Sequence, residues 1–309
     1  MSRGPSICRI VFATCLLGVA ALLSSSATAL ASVVDVTSST TSWTPVLYAN
    51  NNPDPSIDQQ TGSEEGDVVG NAAHPSFYTT FGDAGTPSLT DGTIAYRIRL
   101  GADSNPAGFK AALFVGMDAN GDGAIDLFLG VNNSGAADTN GIWNPGPGAN
   151  TSPNTTTIVS TPLVSYTQTP STNYHWGAVN TTIDPTVGTA TDIDGSGDND
   201  YFITFRIPFA DVVTQLSLRG IGGVTQDSTF SYVMATATQA NSLNQDLNGV
   251  GKSYDPNATW SALGTLANPL TASGVPVPEL NPGMISMTLV GIIIAVDLFV
   301  RRRRLRRHR

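Results

Sequence analysis

The feature that most constrains the fold is a period-two alternation that recurs along the chain. In "TIAYRIRL", Thr93 to Leu100, the residues Ile94, Tyr96, Ile98 and Leu100 share one parity, while Ala95, Arg97 and Arg99 share the other. Side chains of a strand point alternately to its two faces, so this run reads as a half-buried strand. Further apolar runs rich in β-branched and aromatic residues lie at Phe109–Met117, Asp126–Val131, Thr157–Tyr166, Asn173–Asn180 and Ser228–Thr238. Tyr201–Phe209 is apolar on both parities apart from Thr204 and Arg206, which predicts a central strand. Pro45–Ala49 reads as a first edge strand. Asn50–Gly92 reads as polar loop with one short apolar patch, and Asn132–Thr156 as a long Asn/Gly/Pro insertion containing Trp143. Helical spacing is convincing only after Pro208, at Val212, Val213 and Leu216. Strands joined by long loops, with one short helix, predict an all-β fold of the jelly-roll or immunoglobulin-like sandwich type over residues 32–265.

Two of the loops share a pattern. "DANGDGAID" places Asp118, Asn120 and Asp122 on alternate positions, then Gly123, then Asp126. "DIDGSGDND" repeats it with Asp192, Asp194, Ser196, Gly197 and Asp200, and adds Asp198 where the first loop has Ala124. Calcium takes six to eight oxygen ligands, and alternate side chains of a tight loop can converge on one ion, with a backbone carbonyl such as that of Ala124 completing the set. The carboxylates of such a loop repel one another when it is compact, and a divalent cation removes that penalty. An EF-hand would need a glutamate at the twelfth position and helices on both sides; here that position is Leu129 and the flanks read as strands. The alternative is a plain turn, since Asp, Asn and Gly favour turns without any metal. A weaker echo, Asn244, Asp246 and Asn248 before Gly249, reads as a turn only.

Both ends carry address signals. Arg3 and Arg9 precede an apolar run from Ile10 to Leu23 and the triplet Ala29-Leu30-Ala31, the layout of a secretory signal peptide over residues 1–31. Cys8 and Cys15 both lie in it, so the processed chain is expected to have no disulfides. At the other end, Leu266–Pro282 reads as a linker. Met284–Val300 is a mostly apolar stretch at the short limit for a membrane span, followed by an Arg-rich tail over Arg301–Arg309 that would stay on the cytoplasmic side.

Charge narrows the partners. Of 15 Lys and Arg, two fall in the N-terminal segment and seven in the tail, leaving six against 23 of the 24 acidic residues, a net charge of −17 between the two ends. Such a surface excludes nucleic acid as a partner, because phosphate binding needs the opposite sign, and it is compatible with divalent cations. The catalytic repertoire is thin. His74 and His175 are the only histidines between the two ends, and no zinc-binding H-E-x-x-H, nucleophile elbow or phosphate loop occurs. The expectation is therefore a non-enzyme, with a secreted hydrolase the least favoured reading. Tyr174 and Trp176 flank His175 in "NYHWG", a combination that can contact a sugar ring, as can Trp143; the alternative is that they are core or edge-strand aromatics.

Val277-Pro278-Glu279-Leu280, the apolar span and the Arg-rich end together resemble the PEP-CTERM sorting signal of bacterial exosortase substrates, with Leu280 in place of the second proline. The resemblance implies export, transient anchoring and cutting near Pro278–Leu280 by an exosortase-type membrane enzyme, which delivers the protein to the cell surface or matrix. The segments Ala95–Asp126, Asp192–Phe209 and Ala235–Gly249 are similar to bacterial surface β-sandwiches related to the DOMON and family-9 carbohydrate-binding modules. Together with the Asp-rich loops the expectation is a structural or adhesive surface protein stabilised by calcium; the alternative, in line with that resemblance, is a module that binds extracellular polysaccharide.

Overall fold

The structure is a computed structural model that describes residues 33–48, 54–55, 57–61, 63–103 and 108–275. The signal segment, the sorting motif Val277–Leu280, the apolar stretch Met284–Val300 and the Arg-rich tail lie outside the described residues. Among the described residues no helix is long and apolar enough to cross a membrane.

In chain order the strands are β1 (Thr44–Pro45), β2 (Phe77–Gly82), β3 (Thr93–Leu100), β4 (Ala112–Asp118), β5 (Leu127–Asn132), β6 (Thr139–Trp143), β7 (Val164–Thr167) and β8 (Tyr174–Ala178). After them come β9 (Tyr201–Pro208), helix α1 (Phe209–Ser217), β10 (Thr229–Ala237), β11 (Asp246–Leu247), helix α2 (Trp260–Leu263) and β12 (Leu270–Thr271). They form two antiparallel sheets. One runs β1-β2-β3-β9-β8; the other runs β11-β10-β4-β5-β6-β7, with β12 also on β10. The fold is all-β, and β9 is an interior strand between β3 and β8, as its two-sided apolar sequence requires. In α1, Phe209, Val212 and Leu216 are buried at helical spacing, and Pro208 stands at the N-cap, where its missing N–H costs nothing.

The alternation decides what lies between the sheets. Ile94, Tyr96 and Ile98 of β3, Leu113, Val115 and Met117 of β4, Ile203 and Phe205 of β9, and Tyr232 of β10 share one core cluster. The opposite parity is also covered, and here the half-buried reading of β3 is corrected. Ala95 and Phe202 pack with Val34, Trp43, Val179 and Ile183, so the segments around residues 34–43 and 179–190 lie over the outer face of the first sheet. Arg97 is fully buried there: its Nε donates to the Thr204 hydroxyl at 3.0 Å, and its two terminal nitrogens donate to the carbonyls of Ser38 at 2.7 Å and Val36 at 2.9 Å. The guanidinium also lies 4.4 Å from the Trp43 ring. Arg206 Nη1 adds a bond to the Val34 carbonyl at 2.8 Å. With Arg99, which donates to the Ala190 carbonyl, three of the six scarce cations thus hold down the covering chain.

Three other readings change. The Asn/Gly-rich insertion contains β6, and Trp143 at its end is fully buried against Phe114, its Nε1 donating to the Ser160 carbonyl at 3.3 Å, so Trp143 offers no surface to a ligand. The apolar patch at Phe77–Gly82 is a full strand paired along β3. The linker cannot begin at Leu266: β12 pairs with Thr229 and Phe230, and Ala267, Leu270 and Ala272 are buried in the inter-sheet core, so the sandwich extends beyond residue 265.

Candidate functional site

The loop from Asp118 to Asp126 joins β4 to β5, and the loop from Asp192 to Asp200 leads into β9. Their backbones match position by position. The first aspartate accepts from the N–H groups three and five residues on: Asp118 from Gly121 at 2.7 Å and Gly123 at 2.9 Å, Asp192 from Gly195 at 2.7 Å and Gly197 at 3.0 Å. The third position accepts from the fifth, Asn120 from Asp122 N–H and Asp194 from Ser196 N–H. The fifth accepts from the seventh, Asp122 Oδ1 from Ala124 N–H and Ser196 Oγ from Asp198 N–H. The last aspartate reaches back to the second residue, Asp126 to Ala119 N–H and Asp200 to Ile193 N–H. Gly123 and Gly197 share the sixth position with positive φ, 81° and 102°, a backbone region that costs other residues strain. The repeated pattern of residue types thus produces a repeated loop geometry.

The two loops differ in how far they gather charge. Oxygens of Asp192, Asp194 and Asp200 come within 4.8 Å of one another, whereas Asp118, Asp122 and Asp126 form no such group among the described residues. Asp198 is exposed. In the first loop Asp118 is buried while Asn120 and Asp122 face solvent, and burial, aided by the neighbouring charges of Asp118 and Asp122, raises the Asp126 carboxyl to about 6.

The second loop sits on the fully buried Arg99. Its Nε and Nη2 both lie 2.5 Å from Asp200 Oδ2, and Nη2 also donates to the Ala190 carbonyl at 2.8 Å. Its Nη1 lies 3.9 Å from Asp184 Oδ2, a carboxylate that His74 approaches at 3.7 Å. Even with Arg99 so close, burial pushes the Asp200 carboxyl up to about 7, with Asp194 adding to the shift. Asp200 Oδ1 and Asp194 Oδ2 are buried and have no hydrogen-bond donor. Asp194 Oδ2 is packed against Gly101, where an added Cβ would stand 2.7 Å from it, so only glycine permits this approach. A carboxylate can accept at about four positions, so the backbone bonds to Asp192 leave capacity for a cation. Orphaned buried oxygens beside a third carboxylate are the donor set a hard divalent cation takes, and Asp192, Asp194, Ser196 and Asp200 would hold it.

Tyr174 and Trp176, the residues expected to contact sugar, lie on β8, at the edge of the first sheet. Tyr174, His175 and Trp176 line a cleft of about 530 Å3 together with Asn133, Asp138 and Gln168. That volume lies in the range of small-ligand sites. Trp176 does not present an open face: Tyr201 stacks on it at 5.0 Å and Phe109 lies 5.6 Å away. Asn133 and Gln168 pair through their amides at 2.7 Å, and the Asn133 amide also lies 3.4 Å from the Tyr174 hydroxyl. The wall therefore combines apolar ring edges with amide and hydroxyl groups.

The sequence reading missed a further acidic group, Asp54, Asp58 and Asp246, whose oxygens also come within 4.8 Å of one another. Only its last member carried a sequence signal, in the Asn244–Asn248 echo, and that had been read as a turn. Comparisons with protein-family models, with curated proteins and with solved structures found no match to this chain.

Proposed function

We propose that the chain is an exported surface or matrix protein whose β-sandwich is stabilised by calcium bound in its Asp-rich loops, with a structural or adhesive role and no catalytic one. The observation that carries this reading is the second loop, where three carboxylates are gathered and two of their buried oxygens have no donor. The first loop supports it by repeating the same turn geometry with its own aspartates. Arg97 and Arg206 are spent on covering backbone and Arg99 pairs with Asp200, which leaves Asp192 and Asp194 with no ion pair among the described residues. The sandwich belongs in this proposal to the jelly-roll or immunoglobulin-like class, in keeping with the DOMON and family-9 resemblance. What supports that is a chain that changes sheet between β3 and β4, between β7 and β8, and between β9 and β10.

Export rests on the signal-like N-terminus, and sorting on Val277–Leu280, the apolar stretch and the arginines that follow. Mass spectrometry of the surface-exposed form should find a mature N-terminus at Ser32 and a C-terminus near Pro278–Leu280. An intact Arg301–Arg309 tail on that form removes exosortase-type processing and leaves a permanent anchor.

The cleft favours a second reading, a module that binds extracellular polysaccharide through Tyr174 and Trp176. Its size and its mixed aromatic and amide wall suit a sugar better than a plain apolar ligand. With Trp176 stacked on Tyr201, contact would come from ring edges and the Asn133–Gln168 amides rather than from an open ring face. On a glycan array the full-length chain should bind at least tenfold more strongly than Trp176→Ala. Equal binding by both removes Trp176 from any glycan site.

A further inference from the structure

The group formed by Asp54, Asp58 and Asp246 brings together parts of the chain about 190 residues apart. Asp54 is 4 % exposed and Asp246 6 %, and Asp67 beside them is fully buried. Asp67 is satisfied by the backbone N–H groups of Ile57, Asp58 and Gln59. Asp246 Oδ2 accepts from Val68 N–H at 2.6 Å. Asp54 Oδ1 accepts from Gly249 N–H, but its Oδ2 is buried with no donor, and neither oxygen of Asp58 has a well-formed hydrogen bond. One cation approaches among the described residues: Lys252, whose charge and backbone N–H both favour the Asp58 carboxylate while its Nζ donates to the Gln59 carbonyl at 3.3 Å. Asp58 and Asp246 also line a cavity of about 10 Å3 with Gln60, Gln245 and Lys252. That space holds one water or one ion and nothing larger.

Three carboxylates gathered within 4.8 Å, of which Asp54 and Asp246 are buried and Asp58 and Asp246 line an ion-sized cavity, cannot all remain charged and unpaired, since an uncompensated buried charge is among the costliest features a fold can carry. We propose that Asp54, Asp58 and Asp246 form a further calcium-class site, separate from both Asp-rich loops, that ties the segment around residues 54–67 to β11 and so closes one end of the sandwich. The donor set is all oxygen, which suits a hard divalent cation and not zinc or copper. The place fits a staple. Val68 bridges Leu100 at the end of β3 and donates to Asp246, and Thr236 of β10 stands opposite both Asp246 and Leu113. The site therefore joins both sheets at the end where the Asp192–Asp200 loop enters β9.

The test counts calcium by equilibrium dialysis on the full-length chain in mild detergent, comparing the parent with Asp54→Asn/Asp58→Asn. Both proteins are also measured with Asp192→Asn/Asp194→Asn added, which disables the loop site independently. Asparagine keeps the acceptor for Gly249 N–H and removes only charge, so the variant should fold. The expected result is the loss of one bound calcium in either background, together with a higher melting temperature than the parent in chelator, because the repulsion is gone. An unchanged calcium count overturns the proposal. A higher melting temperature without that loss does so as well, because it means that protons rather than a metal hold the carboxylates together. Failure of the loop pair alone would leave this result intact.

Discussion

Arg99→Met should lower the melting temperature of the full-length chain by roughly 10 °C. Removing one partner of a fully buried ion pair costs about 3–5 kcal/mol, because the remaining charge is left without compensation. For a domain of this size each kcal/mol moves the midpoint by about 2–4 °C. Arg99 is completely buried, and its guanidinium serves Asp200, the Ala190 carbonyl and the edge of Asp184 at once. Methionine fills a similar length but leaves the buried Asp200 without its partner, so it must either take up a proton or carry an uncompensated charge. Adding Asp200→Asn to Arg99→Met should recover a large part of the loss, and the coupling between the two changes measures the pair itself. Arg99→Lys should not rescue, because one ammonium cannot reach both Asp200 and the Ala190 carbonyl as the planar fork does. A midpoint for Arg99→Met within about 2 °C of the parent would mean that Asp200 is neutralised by something other than Arg99.

The same pair shows what a linear reading can and cannot recover. Ile94, Tyr96 and Ile98 face the inter-sheet core because alternation is a local property of a strand, and that parity was legible. The burial of Arg97 and Arg99 on the opposite face was not. It depends on chain near residues 34–43 and 179–190 folding over the sheet, and nothing in "TIAYRIRL" encodes that cover. β6 was hidden because it is only five residues long, and Asn140 and Gly141 interrupt Thr139, Ile142 and Trp143 inside an Asn/Gly/Pro-rich stretch. Gly141 is needed there, since a Cβ would stand 2.8 Å from the Val164 carbonyl of the next strand. The likeness of the twin loops was legible, since the same residue types recur at the same positions and their bonds run between residues two to seven apart, but the acceptance of backbone N–H groups by those side chains was not. Asp54 and Asp246 lie at the other extreme: only the tertiary fold makes them neighbours, so no spacing rule could have paired them.

Chelation should act on the protein as a whole, and its effect should exceed that of any single substitution. A ligand that binds only the folded state stabilises it by about 2.7 kcal/mol at a hundredfold excess over its dissociation constant, and by about 4.1 at a thousandfold. The Asp118 loop follows β4 and the Asp192 loop precedes β9, at opposite ends of the sandwich, so their contributions should add. Moving the full-length chain from millimolar calcium into chelator should therefore cost more than about 10 °C of melting temperature. The loss should be unequal between the loops. Asp192→Asn/Asp194→Asn should remove more of the calcium-dependent shift than Asp118→Asn/Asp122→Asn, because only the second loop gathers three carboxylates within 4.8 Å. Magnesium should replace calcium poorly, since it demands near-octahedral geometry at short distances and gives up its water reluctantly. With no cysteine between the two ends, no disulfide within the sandwich can mask the result. Identical melting curves in calcium and in chelator would reduce both loops to turns, with Asp118 and Asp192 acting only as acceptors for the glycine N–H groups that fold them.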